Sequence, residues 1–183
     1  MDKGTLTEIF NKFNVYKGSS DSPTDPILGI GSSLPLPTLD MMTETFTAAG
    51  ILGEVEATNP GHYSNSDVEI PFICIDPKLF DFNPNKKEFL TIRASVQSTV
   101  KATGELEYSG VKVVIGGKVK GFNLGNIEQG KRTESTVKMN WSYLKIEMKH
   151  KDGTIENVFE LDKYNSKNII NGVDVLADIN AFS

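Results

Sequence analysis

Along Val111, Val113, Ile115, Gly117 and Val119 the odd positions are apolar or glycine, while Lys112, Lys118 and Lys120 take even positions. That period of two predicts a strand with one face in a core and the other wet. A loop rich in Gly, Asn and charge runs from Asn123 to Arg132, and a second alternating run follows at Thr133, Ser135, Val137, Met139, Trp141 and Tyr143. Together they predict a long hairpin, with Trp141 and Tyr143 on its core side. Beyond Tyr143 the apolar phase moves to Leu144, Ile146 and Met148. A regular strand cannot change faces, so the shift predicts a β-bulge between Ser142 and Leu144. Bulged, twisted hairpins suit a strongly curved antiparallel sheet, whose wet face is able to line a pore.

The same patterning recurs elsewhere. Ile9, Phe13 and Val15 form an imperfect first strand, ended by the turn-rich stretch Lys17 to Pro26, after which Ile27 to Gly31 returns toward it. Pro35 and Pro37 place the stretch from Leu34 to Leu39 at a sheet edge or crossing between sheets. Ser66 to Ile75 alternates, with Cys74 on the apolar phase of Val68, Ile70 and Phe72, and so reads as a strand with a buried thiol. Asp76 to Phe82 has an N-cap, a proline at the first helical position and apolar Leu79, Phe80 and Phe82, which predicts a helix of about two turns. Leu90, Ile92, Ala94 and Val96 point one way, while Thr91, Arg93, Ser95, Gln97 and Thr99 present a nearly neutral opposite face. Ile155, Asn157, Phe159 and Leu161 begin the last long strand, and the apolar end from Ile169 to Ala181 is expected to dock.

Residues 40–65 follow neither period for long. Met41, Met42, Phe46, Ile51, Leu52 and Val55 are interrupted by Gly50, Gly53 and Gly61. The stretch is too long for an ordinary hairpin loop. Two readings stand side by side: a hairpin packed on its own domain, and an apolar arm that packs on a neighbouring subunit.

Length and charge narrow the class. A chain of 183 residues forms about one domain with a core large enough to need no staple. Acidic residues number 24 against 19 Lys and Arg, a net charge of −5, which argues against sequence-specific nucleic-acid binding. The N-terminus has no charged-then-apolar signal pattern and no run of 18 apolar residues occurs, so a cytoplasmic protein without a membrane anchor is expected. His62 and His150 lie far apart in sequence without a partner at metal spacing, and Gly116-Gly117-Lys118 lacks the glycine spacing and Ser/Thr of a phosphate loop. The glycine pair is better read as a point of close backbone approach. No catalytic residue, cofactor or metal is expected.

The segments Val111 to Gly121, Gly125 to Met139 with its Gly-x-x-x-x-Gly loop and Thr/Glu-rich strand start, and Ile170-Asn-Gly-Val-Asp174 resemble, in that order, the major tail tube proteins of contractile-tailed phages and R-type bacteriocins. Phe10 to Tyr16 and Leu34-Pro-Leu-Pro-Thr-Leu39 are similar to that family's opening strand and Leu-Pro-x-Leu element. The resemblance implies one mainly β domain over residues 1–183, an antiparallel barrel or sandwich of tail-tube type with one short helix on its outer side. It also implies a long inter-subunit hairpin at residues 40–65, with Met41, Met42, Phe46, Ile51 and Leu52 in contact with an adjacent ring. Thr91, Arg93, Ser95, Gln97, Lys112 and Lys118 become the expected lumen-facing residues. The implied assembly is a stack of hexameric rings around a channel, in a phage tail or bacteriocin particle, with sheath, baseplate and tail terminator proteins as partners. The competing reading is a monomeric β-sandwich binding module, for carbohydrate for example, which requires exposed aromatics converging on a groove.

Overall fold

A computed structural model of the chain describes residues 4–18 and 26–181. The alternating runs become strands β1 (Thr5–Lys17), β2 (Met41–Phe46), β3 (Val55–Tyr63), β4 (Asp67–Phe72), β5 (Glu88–Val100), β6 (Leu106–Asn123), β7 (Ser135–Lys149), β8 (Ile155–Asp162), β9 (Lys167–Ile170) and β10 (Val173–Asp174), with a four-residue helix α1 (Ala177–Asn180) at the end. The fold is mainly β and antiparallel. One path runs β1-β5-β6-β7-β8-β9-β10, and β4 joins it along β7. Strand β7 is shared, because residues 135–140 pair with β4 and residues 143–149 with β8, while β6 holds its other edge.

The change of partner coincides with a bulge. Gly116 faces Tyr143 and Gly117 faces Trp141, which leaves Ser142 as the extra residue, where the sequence pattern puts it. Val137, Met139 and Trp141 before the bulge and Leu144 after it all enter the core, Trp141 at 1% exposure. Tyr143 is thereby turned onto the opposite face, beside Asp162, and does not share the side of Trp141 as the simple alternation predicts. Further register shifts lie between Thr7 and Ile9 and between Phe10 and Lys12, and these account for the imperfect pattern of β1.

The path β4-β7-β6-β5-β1 rolls up, and residues 26–31 join its two ends. The Ile27 N–H donates to the Val15 carbonyl at 2.8 Å, the Gly31 N–H to Pro71 at 2.9 Å, and the Ile73 N–H to Gly29 at 2.8 Å. The seam is therefore made of isolated bridges, Tyr16 to Pro26 and Ile30 to Phe72, and not of a continuous ladder. The turn expected from Lys17 to Pro26 lies mostly outside the described residues. Inside the roll Val15, Val68, Ile70, Phe72, Leu90, Ile92, Ile115 and Leu161 pack together. Each such large side chain contributes on the order of 1.5–3 kcal/mol by leaving water.

Two further expectations change. Asp76 caps as predicted, its carboxylate accepting from the Lys78 N–H at 2.9 Å, but Pro77–Asp81 is a single 3-10 turn. Five residues ahead of Asn83-Pro84 are too few for an α-helical ladder. Leu79 and Phe82 are buried, whereas Phe80 is exposed and meets Phe122 at 5.6 Å. Cys74 is exposed, because β4 stops at Phe72 and the alternation that placed the thiol inward stops with it. The chain end does dock. Asn171 and Gly172, both at positive φ, turn β9 into β10, and Leu176 then packs against Gly61.

Candidate assembly surfaces

Strands β2 and β3 form a separate two-stranded sheet that leaves the body. Its root is firm: Met41 pairs with Tyr63, the Ser64 N–H donates to Asp40 at 2.8 Å, and the buried Tyr63 ring meets Phe159 edge-on at 6.4 Å. Above the root the register jumps, and the ladder resumes only at Thr43 to Thr58, ending at Phe46 to Val55. The interruption falls at Pro60, which has no N–H to give, and Gly61, whose φ of 79° suits glycine. A Cβ at Gly61 would lie 2.5 Å from Leu176 Cδ2, so the glycine also lets the terminal segment close against the root.

The distal ribbon presents two faces. Phe46, Val55, Glu44 and Ala57 share one, and Thr43, Thr45, Glu56 and Thr58 the other. Every residue of β2 is exposed, as are Val55 to Pro60 of β3, and Leu52 at the tip is fully open. The five residues expected to make contacts, Met41, Met42, Phe46, Ile51 and Leu52, are all brought to this hairpin and all exposed. A two-stranded ribbon with neither face covered is marginal by itself in water. Residues 40–65 hold Asp40, Glu44, Glu54 and Glu56 but no Lys or Arg.

The second surface is the polar face of the rolled sheet. Arg93 on β5 sits opposite Lys112 on β6, and Ser95 and Gln97 follow on the same side. These residues do form one face, with Lys118 further along it. Thr91 is the exception: it is wholly covered and donates its hydroxyl to the Gly18 carbonyl at 2.9 Å, which removes it from any channel surface. Cations on this face meet carboxylates across the strands. Glu147 receives Lys112 and Lys145, each at 2.7 Å, and Glu160 receives Lys167 at 2.8 Å and Asn157 at 3.0 Å. Lys120 reaches Asp67 at 2.7 Å and Lys138 reaches Glu69 at 2.8 Å. Burial raises the Glu147 and Glu160 carboxyls, but hydrogen bonds from these lysines and Asn157 outweigh it and hold both below the usual range. The Tyr143 phenol, desolvated and beside Glu160, is pushed up to about 12. Where its lysines are spent on neighbouring carboxylates, as at Lys112 and Lys145, the face offers little charge to a phosphate backbone.

A third feature was invisible to pattern reading. Met42, Gly61, His62 and Tyr63 from the hairpin root and Leu161 to Lys163, Ser166, Lys167 and Leu176 from the body line a groove of about 190 Å³. Lys163 lies in it with its ammonium 3.8 Å from the Trp141 ring, and burial lowers its pKa. The indole below is fixed by its N–H bond to Ser66 Oγ at 2.7 Å. No sequence signal joins Lys163 to Trp141; only the return of β8 beside β7 does. Among the described residues no group of three His, Cys, Asp or Glu is placed to hold a metal ion, and no helix is long and apolar enough to cross a membrane. His150 pairs with Glu156 at 3.0 Å across a turn.

A rolled antiparallel body with ion pairs across its polar face and an uncovered projecting ribbon is the form of a structural building block. The chain belongs to the phage tail tube protein FII family, whose model matches residues 8–181. It is thus a tail tube structural subunit, a component of the phage tail that self-assembles into a tube with other tail components. A comparison with curated proteins gives no match.

Proposed function

We propose that this subunit builds the inner tube of a contractile tail, as stacked hexameric rings around a channel used for DNA passage or for membrane puncture. The observation that carries the reading is the β2–β3 ribbon, rooted at Met41 and Tyr63 and uncovered beyond. In a stack, Phe46, Ile51 and Leu52 pack against the adjacent ring, burying surface that a lone subunit leaves in water. Cyclic symmetry closes each ring, and the free edge of β1 between Thr5 and Phe13 is satisfied by a neighbour's sheet. Arg93, Ser95, Gln97, Lys112 and Lys118 then line the channel, a surface on which cross-strand ion pairs limit adhesion of DNA. A sheath surrounds the tube, with a baseplate below and a terminator above.

Negative-stain electron microscopy of the concentrated protein, with light scattering for mass, tests this. Six-fold rings or hollow stacks are expected. A subunit that remains a monomer at every concentration and fails to polymerise on added baseplates refutes it.

A further inference from the structure

The groove at the hairpin root holds a cation without a counter-charge. Lys163 is half-buried over Trp141, and among the described residues its ammonium has no hydrogen-bond or ion-pair partner. The carboxylate in the groove does not serve it: Asp162 is occupied by the Asn165 amide at 2.7 Å and the Tyr164 N–H at 3.0 Å. Burial disfavours the charged form of a lysine that lacks a partner, and a carboxylate entering the groove would relieve that cost. Met42 and Leu176 give the groove apolar walls.

The distal ribbon has the opposite character. Glu56 stands on the face shared with Thr43, Thr45 and Thr58, Glu44 on the opposite face, and Glu54 just ahead of β3, while no lysine or arginine lies within residues 40–65. The two features cannot meet in one chain. Register sets Glu56 opposite Thr45, about 13 Å along the ladder from Met41 at about 3.3 Å per residue. A paired ribbon does not fold back over such a span, so any contact between its Glu56 face and the root groove is made between two chains.

We infer that the root groove of one subunit receives the Glu56 face of another copy's ribbon, with Lys163 paired to the carboxylate of Glu56 or of Glu54 beside it. This rests on the reading of β2–β3 as an inter-ring arm and adds its docking place. Because tip and root are different surfaces, the contact is head-to-tail and repeats indefinitely along a stack. Thr43, Thr45 and Thr58 hydroxyls supply hydrogen bonds beside the ion pair, and the groove's apolar walls exclude water from it.

The test is the critical concentration for tube assembly of the full chain, read by sedimentation and electron microscopy. Lys163→Met keeps the stem over Trp141 and removes the charge, and it is expected to raise that concentration at least about tenfold, as loss of one partner of a desolvated ion pair does. Lys163→Glu is expected to raise it further, as is the double change Glu54→Lys with Glu56→Lys. Combining Lys163→Glu with the two arm reversals is expected to restore assembly. Trp141 fluorescence and elution volume show that each variant is folded. Should Lys163→Met and Lys163→Glu assemble as the parent does, or the combination fail to restore assembly, the docking is wrong. A variant with residues 43–58 replaced by a short Gly/Ser turn separates the two ideas. If it assembles normally, the arm reading itself falls; if it does not while both Lys163 variants do, only the docking place falls.

Discussion

Replacing Gly117 by alanine adds one methyl group at the most crowded point of the β6–β7 ladder. The new Cβ would lie 2.3 Å from the Asn140 carbonyl oxygen and 2.9 Å from both the Asn140 carbonyl carbon and Trp141 Cα. These are backbone atoms of a paired strand, so no side-chain rotation relieves the contact. Restoring ordinary van der Waals separation requires the strands to part by about 1 Å beside the Ser142 bulge. Parting them there loosens Trp141 and its bond to Ser66. Overpacking of this kind costs about 1–3 kcal/mol. For a domain of this size each kcal/mol moves the midpoint by about 2–4 °C, so the Tm is expected to fall by about 2–12 °C. Gly121 on the same strand is the control, since a Cβ there meets nothing within 4 Å and its φ is not positive. Gly121→Ala is expected to leave stability unchanged or raise it by roughly 0.5–1 kcal/mol, through a less flexible unfolded chain. Thermal and urea unfolding of the dispersed subunit, followed by the fluorescence of the single tryptophan, reads both. A Gly117→Ala midpoint at or above that of the parent, or equal losses from the two changes, would refute the close-approach argument.

Other outcomes follow from the same geometry. Ile115→Ala empties a fully buried site and is expected to cost about 2–5 kcal/mol, measured as a lower urea midpoint at unchanged slope. Glu147, Glu160 and Asp162 have folded-state carboxyl pKa values below their unfolded ones, so the stability they contribute is present above about pH 4 and is lost as pH falls through the folded values. Urea midpoints taken toward acid are expected to drop in that window, and Glu147→Gln to flatten the drop; superimposable profiles would show that the Lys112 and Lys145 pairing does not matter. Tyr143 is raised to about 12, so its contribution is whole below about pH 10 and lost as pH rises through 12. In an ultraviolet titration one tyrosine is expected to ionise late, and Tyr143→Phe to remove that late step.

Strand order along the chain was legible because alternation survives wherever one face is buried, as in β5 and β6. The Ser142 bulge was legible for the same reason: a phase change between Trp141 and Leu144 has no other cheap explanation. Cys74 was misread because alternation says nothing about where a strand stops, and β4 ends two residues earlier. Tyr143 was misread because the exact bulged residue decides which neighbour flips. The hairpin of residues 40–65 has no period to read, since neither of its faces is buried in the subunit. Its extent was read from length and glycines, its place as an arm from the family resemblance, and its acidic character was not read at all. Pairings between distant strands, such as Lys163 with Trp141 or Glu147 with Lys112, leave no trace in the local pattern and require the topology first.

The chain departs into the ribbon at Asp40 and comes back at Ser64, two residues joined by a single backbone hydrogen bond. Seen from the rolled body, everything between them is one closed excursion, and its length costs the body little, because loop-closure entropy grows only with the logarithm of length. Such a junction is a natural graft point. Ribbons of different reach or composition can be exchanged between Met41 and Tyr63 without renegotiating the packing around Trp141, which in the assembly proposed above would let axial coupling diversify while the wall stays the same.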